Sequence, residues 1–289
     1  MSSQSYHSEE YLAPEEIKFR YILSATERKI LIQIIDDVLR KYKSPKESIP
    51  YVKDCMTQIS ELCRAMNEFF EKNPGNYFIR LSSCSPKDAY YQLCVETPAE
   101  DEVEDIVVTP DLIKLELSLL KVSTVEQCIL VLCHSERVFY DLDSSLEMAV
   151  LLMDWKNDIL YDTETRCFIK GSKLVAFSQY YVDLENGYKS VLDNSQISVS
   201  DIYHRVLHFI NHLLTTNKVP YSDAVVDIAM SNIENNGFIF IEINPFNIGT
   251  DSGLFDWDYI NEYNGEPCFR YKCNDKLIEF KTDDSNSKN

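Results

Sequence analysis

Glycine is scarce in this chain, with seven in 289 residues. No Gly-rich phosphate loop of the Walker or Rossmann type occurs, so a nucleotide, if one binds, must be held by another kind of fold. Basic residues are also short in supply: 28 Lys and Arg stand against 47 Asp and Glu, a net charge of −19. A surface of that sign repels phosphate backbones, which argues against non-specific nucleic-acid binding. No apolar run approaches the roughly 18 residues that a membrane helix needs, so no membrane association is expected. The polar, acidic N-terminus carries no secretory-signal pattern. The nine cysteines, an odd number, read as reduced thiols of a cytoplasmic protein. Cys128 with Cys133, and Cys268 with Cys273, lack the second pair or His that a zinc site requires. No Ser/His/Asp or Cys/His spacing supports nucleophilic catalysis.

What is present describes an ordinary globular protein, 45% hydrophobic and 12% aromatic. Residues 1–20 are polar and expected to be loose, although Tyr11, Phe19 and Tyr21 can pack. Ser24 and Glu27 form a capping box that opens a helix with Leu31, Ile34, Ile35, Val38, Leu39 and Tyr42 at helical spacing. A second helix after Pro50 repeats the pattern with Val52, Cys55, Ile59, Leu62, Met66 and Phe69, so a helical hairpin is expected at the front of the chain. Tyr77–Ser82 reads as a strand, 100–105 as an acidic surface linker and 110–121 as a helix. Ser123 with Glu126 offers a capping box into 128–133, where the apolar run leaves helix and buried strand both open. Strands are expected at 146–153 and in a hairpin of 166–169 and 174–179 about Lys170-Gly171-Ser172. A helix from Ser200 to about Thr215 follows, and the tail after Lys281 is polar. Strands interleaved with helices, and several hairpins, predict an α+β protein with largely antiparallel sheets.

The most informative segment is Val225-Val226-Asp227-Ile228 followed by Ile241-Glu242-Ile243-Asn244-Pro245, with Asn235-Asn236-Gly237 between them. Two apolar runs about an Asn-Gly turn predict a β-hairpin. Side chains alternate along a strand, so Glu242 and Asn244 share a face, and Asp227 joins them if the connecting loop has an even number of residues. Carboxylates inside runs this apolar are costly unless paired or bound to metal. Hard oxygen ligands suit Mg²⁺, which usually arrives with substrate phosphates. The alternative is three polar residues on an exposed hairpin face.

Other candidates each have two readings. Arg80 and Lys87, on a strand and its following Ser/Pro loop, can neutralise phosphates or belong to a solvated turn. Arg166 faces the side of Phe168 and Lys170, and reaches either a phosphate or the acidic cluster, or makes a cross-strand salt bridge. His204, His208 and His212 recur every fourth residue, but they point well away from the helix's apolar face and read as solvated.

Three segments in order resemble the cell-division-cycle protein 123 family, a divergent branch of the ATP-grasp superfamily. They are Arg80-Leu81-Ser82-Ser83-Cys84-Ser85-Pro86-Lys87-Asp88-Ala89; Thr165-Arg166-Cys167-Phe168-Ile169 with Ser178-Gln179; and Asp227 with Glu242-Ile243-Asn244-Pro245-Phe246 and Thr250-Asp251-Ser252-Gly253-Leu254-Phe255. The resemblance implies an ATP-grasp-like fold, with ATP held between two α+β lobes, an N-lobe at 76–150 and a C-lobe at 151–281; the residue pattern itself adds a helical region at 1–75 and a disordered tail at 282–289. It implies ATP and Mg²⁺ as cofactors, with Mg²⁺ on Asp227, Glu242 and Asn244. It places Arg80, Lys87, Asp88 and Arg166 near the nucleotide, and Met153, Asp154 and Trp155 at the adenine. Glu242 stands where the family usually has Asp, and Arg80 where it usually has Lys. The first 75 residues lack the family's aromatic-rich start, and Tyr180-Tyr181 replace a frequent Arg-Asp. Family members are similar to assembly chaperones of translation initiation factor 2 that bind its γ subunit, and that role is the expectation. An ATP-grasp ligase or phosphotransferase, activating a carboxylate or phosphorylating an unknown acceptor, is the enzymatic alternative. A partner-binding protein that needs no nucleotide is the third.

Overall fold

The structure is a computed structural model that describes residues 17–89, 93, 108–143, 147–193, 197–231, 237–263 and 265–281. The expectations for residues 1–16, for the acidic stretch 100–105, for the Asn235-Asn236 turn and for the tail after 281 lie outside these residues. The chain divides into two compact units, Met1–Asp105 with Lys114–Trp155, and Ile106–Ile113 with Lys156–Asn289. Both are mixed α and β, with sheets built almost wholly from antiparallel pairs.

The first unit packs helices on a four-stranded sheet, ordered β1-β4-β2-β3. Strand β1 (Ile17–Ile22) lies at one edge, paired with β4 (Ala149–Asp154). The spacing predicts loose chain here; instead the alternation of half-buried and exposed side chains over Ile17–Ile22 makes an edge strand with one face inward. Helix α1 (Ala25–Lys41) opens on the expected capping box, Ser24 Oγ accepting from Glu27 N at 3.2 Å while Ser24 N donates to Glu27 Oε2 at 2.9 Å. Its Leu31, Ile34, Ile35 and Val38 are buried.

The second helix differs from expectation. Helix α2 begins at Pro45 and runs to Cys55, with Pro50 inside it; a 3₁₀ turn at Met56–Ile59 follows, then α3 (Ser60–Lys72). A proline is pre-set for the first helical turn, so Pro45, not Pro50, marks the start. Strands β2 (Tyr77–Leu81) and β3 (Lys121–Val122) complete the sheet. Helix α4 (Pro110–Ser118) starts at the expected proline, and its residues up to Ile113 belong to the second unit. Helix α5 (Val125–Cys133) resolves the helix-or-strand choice for the 129–132 run. Its cap sits one residue later than the pattern suggests: Thr124 Oγ1 accepts from Gln127 N, and Ser123 N donates to Gln127 Oε1 instead of to Glu126. Gln127 performs the back-reaching role of Glu126 because only it stands at the third position after the true N-cap. Helix α6 (Glu136–Leu142) completes this unit's helices among the described residues.

The second unit is a six-stranded sheet ordered β10-β9-β6-β5-β7-β8. Strands β5 (Ile159–Lys170) and β6 (Lys173–Gln179) form the expected hairpin. Gly171 and Ser172 both take positive φ, which matches the right-handed twist of the strands they join. Strands β7 (Ala224–Ser231) and β8 (Gly237–Asn244) form the second hairpin. Strands β9 (Cys268–Cys273) and β10 (Lys276–Phe280), which the pattern does not single out, turn at Asn274-Asp275, again both at positive φ. A short α7 (Lys189–Leu192) precedes α8 (Val199–Thr215), and α9 (Trp257–Glu262) follows β8.

Directly paired residues share a face, so the pairings sort this sheet into two sides. One side carries Cys167, Phe177, Val226, Ile243 and Phe269 beneath α8, with Phe177 against Tyr203 and Phe269. His204, His208 and His212 are exposed on the far side of α8, as expected. The other side carries Arg166, Phe168, Ser178, Asp227, Glu242 and Asn244.

Candidate functional site

The expected convergence of Asp227, Glu242 and Asn244 exists, but by a different route. Strand β7 ends at Ser231 and β8 starts at Gly237, so the connection 232–236 is odd, not even. An odd connection pairs residues of like parity, as in Ile228 with Phe240 and Met230 with Phe238. A bulge between Asp227 and Ile228 then slips the register by one, and Asp227 faces Glu242 while Val225 faces Asn244. Without that bulge, Glu242 and Asn244 would point to the opposite side from Asp227.

Asp227 is fully buried, with none of its surface exposed. Arg166, directly opposite on β5, grips it with a two-pronged ion pair: Nε donates to Oδ1 at 2.9 Å and Nη2 to Oδ2 at 2.8 Å. Asn244 Nδ2 donates to the same Oδ2 at 3.0 Å. Arg166 is itself only 6% exposed. Burial works against its charge, but the neighbouring Asp227 carboxylate outweighs burial and raises the guanidinium pKa further. Its remaining edge donates from Nη1 to the Asp251 carbonyl at 2.9 Å, and its plane lies over the Tyr180 ring at 4.6 Å. The cross-strand salt bridge, one of the two readings open for Arg166, is therefore made. Glu242 and Asn244 are half-buried at the edge strand.

The segment after β8 folds onto this face. Leu254 N donates to Ser178 Oγ at 3.3 Å, Gly253 N to Asp251 Oδ1 at 2.9 Å, and Trp257 Nε1 to the Thr250 carbonyl at 2.9 Å. Gly253 has a φ of +59°, and a Cβ there would meet Ser178 Oγ at 2.6 Å, so only glycine fits. Phe255 and Trp257 set their rings edge-on to Phe168. Tyr180, the Asp251 carbonyl and Gly253 are parts of the site that the residue pattern alone does not assign. Two signals point toward them: the 250–255 segment grouped with Asp227 in the resemblance, and the pairing that sets Ser178 opposite Arg166.

The remaining expected site residues belong to the first unit. Arg80 is buried on β2, directly opposite Leu151, on the sheet face of a small cluster of Ala149, Leu151 and Met153. Its Nε donates to the Leu81 carbonyl at 3.1 Å. Asp88 accepts from Ser135 Oγ at 2.6 Å and from Arg137 N at 3.1 Å, which anchors its loop at the start of α6. Lys87 is half-buried in the same loop. Met153 is buried, Asp154 is exposed and pairs with Lys18 at 3.2 Å, and Trp155 N donates to the Asn76 carbonyl at 3.0 Å. The structure thus brings Arg166, Asp227, Glu242 and Asn244 together on one face of the second unit; the others lie in the first.

Two carboxylates, Asp227 and Glu242, share this face with the Arg166 guanidinium and the Asn244 amide. The oxygen set of Asp227, Glu242 and Asn244 suits a hard divalent cation that brings its own phosphate or water ligands. Asp227 accepts three hydrogen bonds where a carboxylate offers about four lone-pair positions. Among the described residues no group of three or more His, Cys, Asp or Glu forms a self-sufficient metal cage. No described helix is long and apolar enough to cross a membrane.

Comparison with known proteins agrees with the fold and bears on the role. A family model described as D123 matches residues 9–288. A protein of Xenopus tropicalis named translation initiation factor eIF2 assembly protein is 25% identical over 71% of this chain and 58% of its own length. Proteins of the same name from Schizosaccharomyces pombe and Dictyostelium discoideum are 28% and 26% identical, over 51% and 70% of this chain and 47% of each relative. The chain spans about half the length of the curated relatives it matches. The solved structure of Cdc123 from Schizosaccharomyces pombe superposes with a TM-score of 0.55 at 20% identity, covering 90% of this chain and 91% of that one. That likeness establishes a shared fold.

Proposed function

The chain belongs to the D123 family, the cell-division-cycle protein 123 family of the resemblance, and on that premise we propose that it is an assembly factor for translation initiation factor 2 that binds ATP with Mg²⁺. The observation that carries the nucleotide half is the shared face of Asp227, Glu242 and Asn244, three hard oxygen donors on neighbouring strands. The assembly half is supported by the common name of the relatives, and the γ subunit enters as the partner through the resemblance. The protein would act in the cytoplasm, where initiation factors assemble.

In this reading Glu242 and Asn244, half-buried at the sheet edge, are the accessible ligands, and Asp227 supplies charge from beneath them. Together these residues would hold Mg²⁺, which would supply positive charge against the phosphates. Asn244 serves twice, its amide nitrogen holding Asp227 while its carbonyl oxygen remains for a cation. The residue pairs of the apolar opposite face fix both strands and hold the site in register. Arg80, Lys87, Asp88 and Met153–Trp155 enter the nucleotide site by the resemblance alone.

Calorimetry with ATP and Mg²⁺ on wild type and Asp227→Ala tests the nucleotide half; wild-type binding that the variant loses is expected. No binding by wild type would overturn it and leave a partner-binding protein. Co-purification with the γ subunit tests the partner, and failure to retain γ while retaining ATP would separate the two halves. Turnover of ATP to ADP with a carboxylate acceptor would instead favour the ligase reading.

A further inference from the structure

We propose that Gln179 is a positioning residue of the nucleotide site: it seats the loop 180–187, which holds Tyr180 against the plane of Arg166 and Tyr181 against Glu164. This rests on the nucleotide reading above and adds the support that aligns its arginine.

The Gln179 amide carries the assignment, because each of its polar atoms has a partner. Gln179 ends β6 with 1% of its surface exposed. Its Nε2 donates to the Tyr181 carbonyl at 2.7 Å and to the Leu184 carbonyl at 2.8 Å. Its Oε1 accepts from Lys272 N of β9 at 2.6 Å. Two donors and one acceptor at this reach are what a primary amide supplies; Glu offers no donor when ionised, and Asn is one methylene shorter. Space around the amide is tight: a Cβ on Gly187 would meet Gln179 Oε1 at 2.4 Å. Gly187 N donates to the Lys272 carbonyl at 3.0 Å, and Asp275 N to the Glu185 carbonyl at 3.0 Å, so the far end of the loop is tied to β9 and its turn.

The loop delivers two rings to β5. Tyr180 N donates to the Glu164 carbonyl at 2.8 Å, which continues the pairing of β5 with β6. The Tyr180 ring then lies 4.6 Å from the Arg166 guanidinium. Asp227 fixes one edge of that planar group, and Tyr180 fixes its tilt about the edge. A guanidinium fork meets carboxylate or phosphate oxygens well only when its plane is set. Tyr181 stands edge-on to Tyr180 at 5.0 Å, and its hydroxyl bonds to the Glu164 carboxylate. Burial, and then that carboxylate, raise the Tyr181 pKa, so the phenol stays a neutral donor. Two buried charges of β5, Glu164 and Arg166, are thus each met by one of two consecutive tyrosines, and one amide seats both. Loss of that amide loosens the two rings together without touching Asp227, Glu242 or Asn244.

Binding of ATP with Mg²⁺ to the full chain is measured by calorimetry for wild type, Gln179→Ala, Tyr180→Leu and the double variant, beside unfolding midpoints in denaturant. Each single variant should weaken binding about tenfold, the usual cost of losing an outer support of a ligand site. The double variant should lose no more than the larger single loss, because both changes act through one ring. With 3-fluorotyrosine incorporated, the Tyr180 fluorine resonance, identified by its absence in Tyr180→Leu, should shift in Gln179→Ala before any ATP is added. Additive losses or an unmoved resonance overturn the proposal. So does a Gln179→Ala protein that is less stable yet binds ATP as wild type does; all three results leave the nucleotide reading intact. Should Gln179→Ala fail to fold, Gly187→Ala displaces the same amide through its added Cβ and takes its place in the cycle. If wild type binds no ATP with Mg²⁺, the nucleotide reading falls and the proposal falls with it.

Discussion

Each unit buries a polar pair, and the two pairs solve the same problem in opposite ways. Arg166 and Asp227 are both charged, with the guanidinium 6% exposed and the carboxylate not at all. Ser48 and His134 are both neutral. The His134 Nδ1 donates to the Leu130 carbonyl at 2.7 Å, which leaves Nε2 to face the Ser48 hydroxyl at 3.1 Å, and Ser48 Oγ also reaches the Pro45 carbonyl at 2.9 Å. Burial holds the His134 pKa below its usual 6.5. The neutral pair ties α2 to α5 at modest electrostatic cost. The charged pair is unfavourable to desolvate, and apolar residues of similar volume often replace such pairs without loss of stability. A site that keeps it anyway has a use for the charge.

That contrast can be upset most severely at Asp227. Asp227→Ala leaves a buried guanidinium uncompensated and should lower unfolding free energy by about 3–5 kcal/mol in denaturant titration. The matched replacement Arg166→Met with Asp227→Leu should recover most of that loss while abolishing binding of ATP with Mg²⁺. A double variant as unstable as the single one would mean that the pair is needed for folding and not for its charge. On the neutral side, Ser48→Ala should cost about 1 kcal/mol, the net worth of an ordinary hydrogen bond. A loss as large as that at Asp227 would remove the distinction.

The two pairs should also differ in their response to pH. The folded pKa of His134 lies below the unfolded value of 6.5. The stability owed to its neutral ring is therefore complete above pH 6.5, and it is lost as pH falls from 6.5 through the folded value. His134→Gln should flatten that part of the stability profile. Arg166 stays charged across the whole range, so the matched double variant should leave the profile near pH 6 unchanged. The smallest expected effect is at a helix end remote from both pairs: Ser198→Ala removes one side of the Ser198–Asp201 capping box of α8 and should cost about 1 kcal/mol.

Much of the fold is legible because helical and strand periods are written locally. The α1 capping box, the Lys170-Gly171-Ser172 hairpin and the helix expected from Ser200 to about Thr215 each depend on residues within a few positions of one another. The misses share a cause. Strand β1 alternates as a strand should over Ile17–Ile22, but the signal spans six residues after a polar start, and its partner β4 lies far away in the chain. The Thr124 cap and the Pro45 start are errors of one and five residues, at boundaries that several residues could have supplied. In the site, the residue types were visible and their neighbours were not. Tyr180 and the Asp251 carbonyl meet Arg166 only through pairing of β5 with β6 and the return of the 250–255 loop.

Residue order and composition settle the inventory: two carboxylates and an amide inside apolar strands, an arginine on a third strand, few glycines, and an excess of negative charge. Those are local and compositional facts, and no fold could remove them. Which of these groups meet is settled only by strand pairing. The odd connection before β8 would have sent Glu242 and Asn244 to the wrong side of the sheet, and a single bulge beside Asp227 returns them. A side-chain period of two makes one residue of slip the difference between a cluster and three strangers, and no count along the chain reveals a bulge.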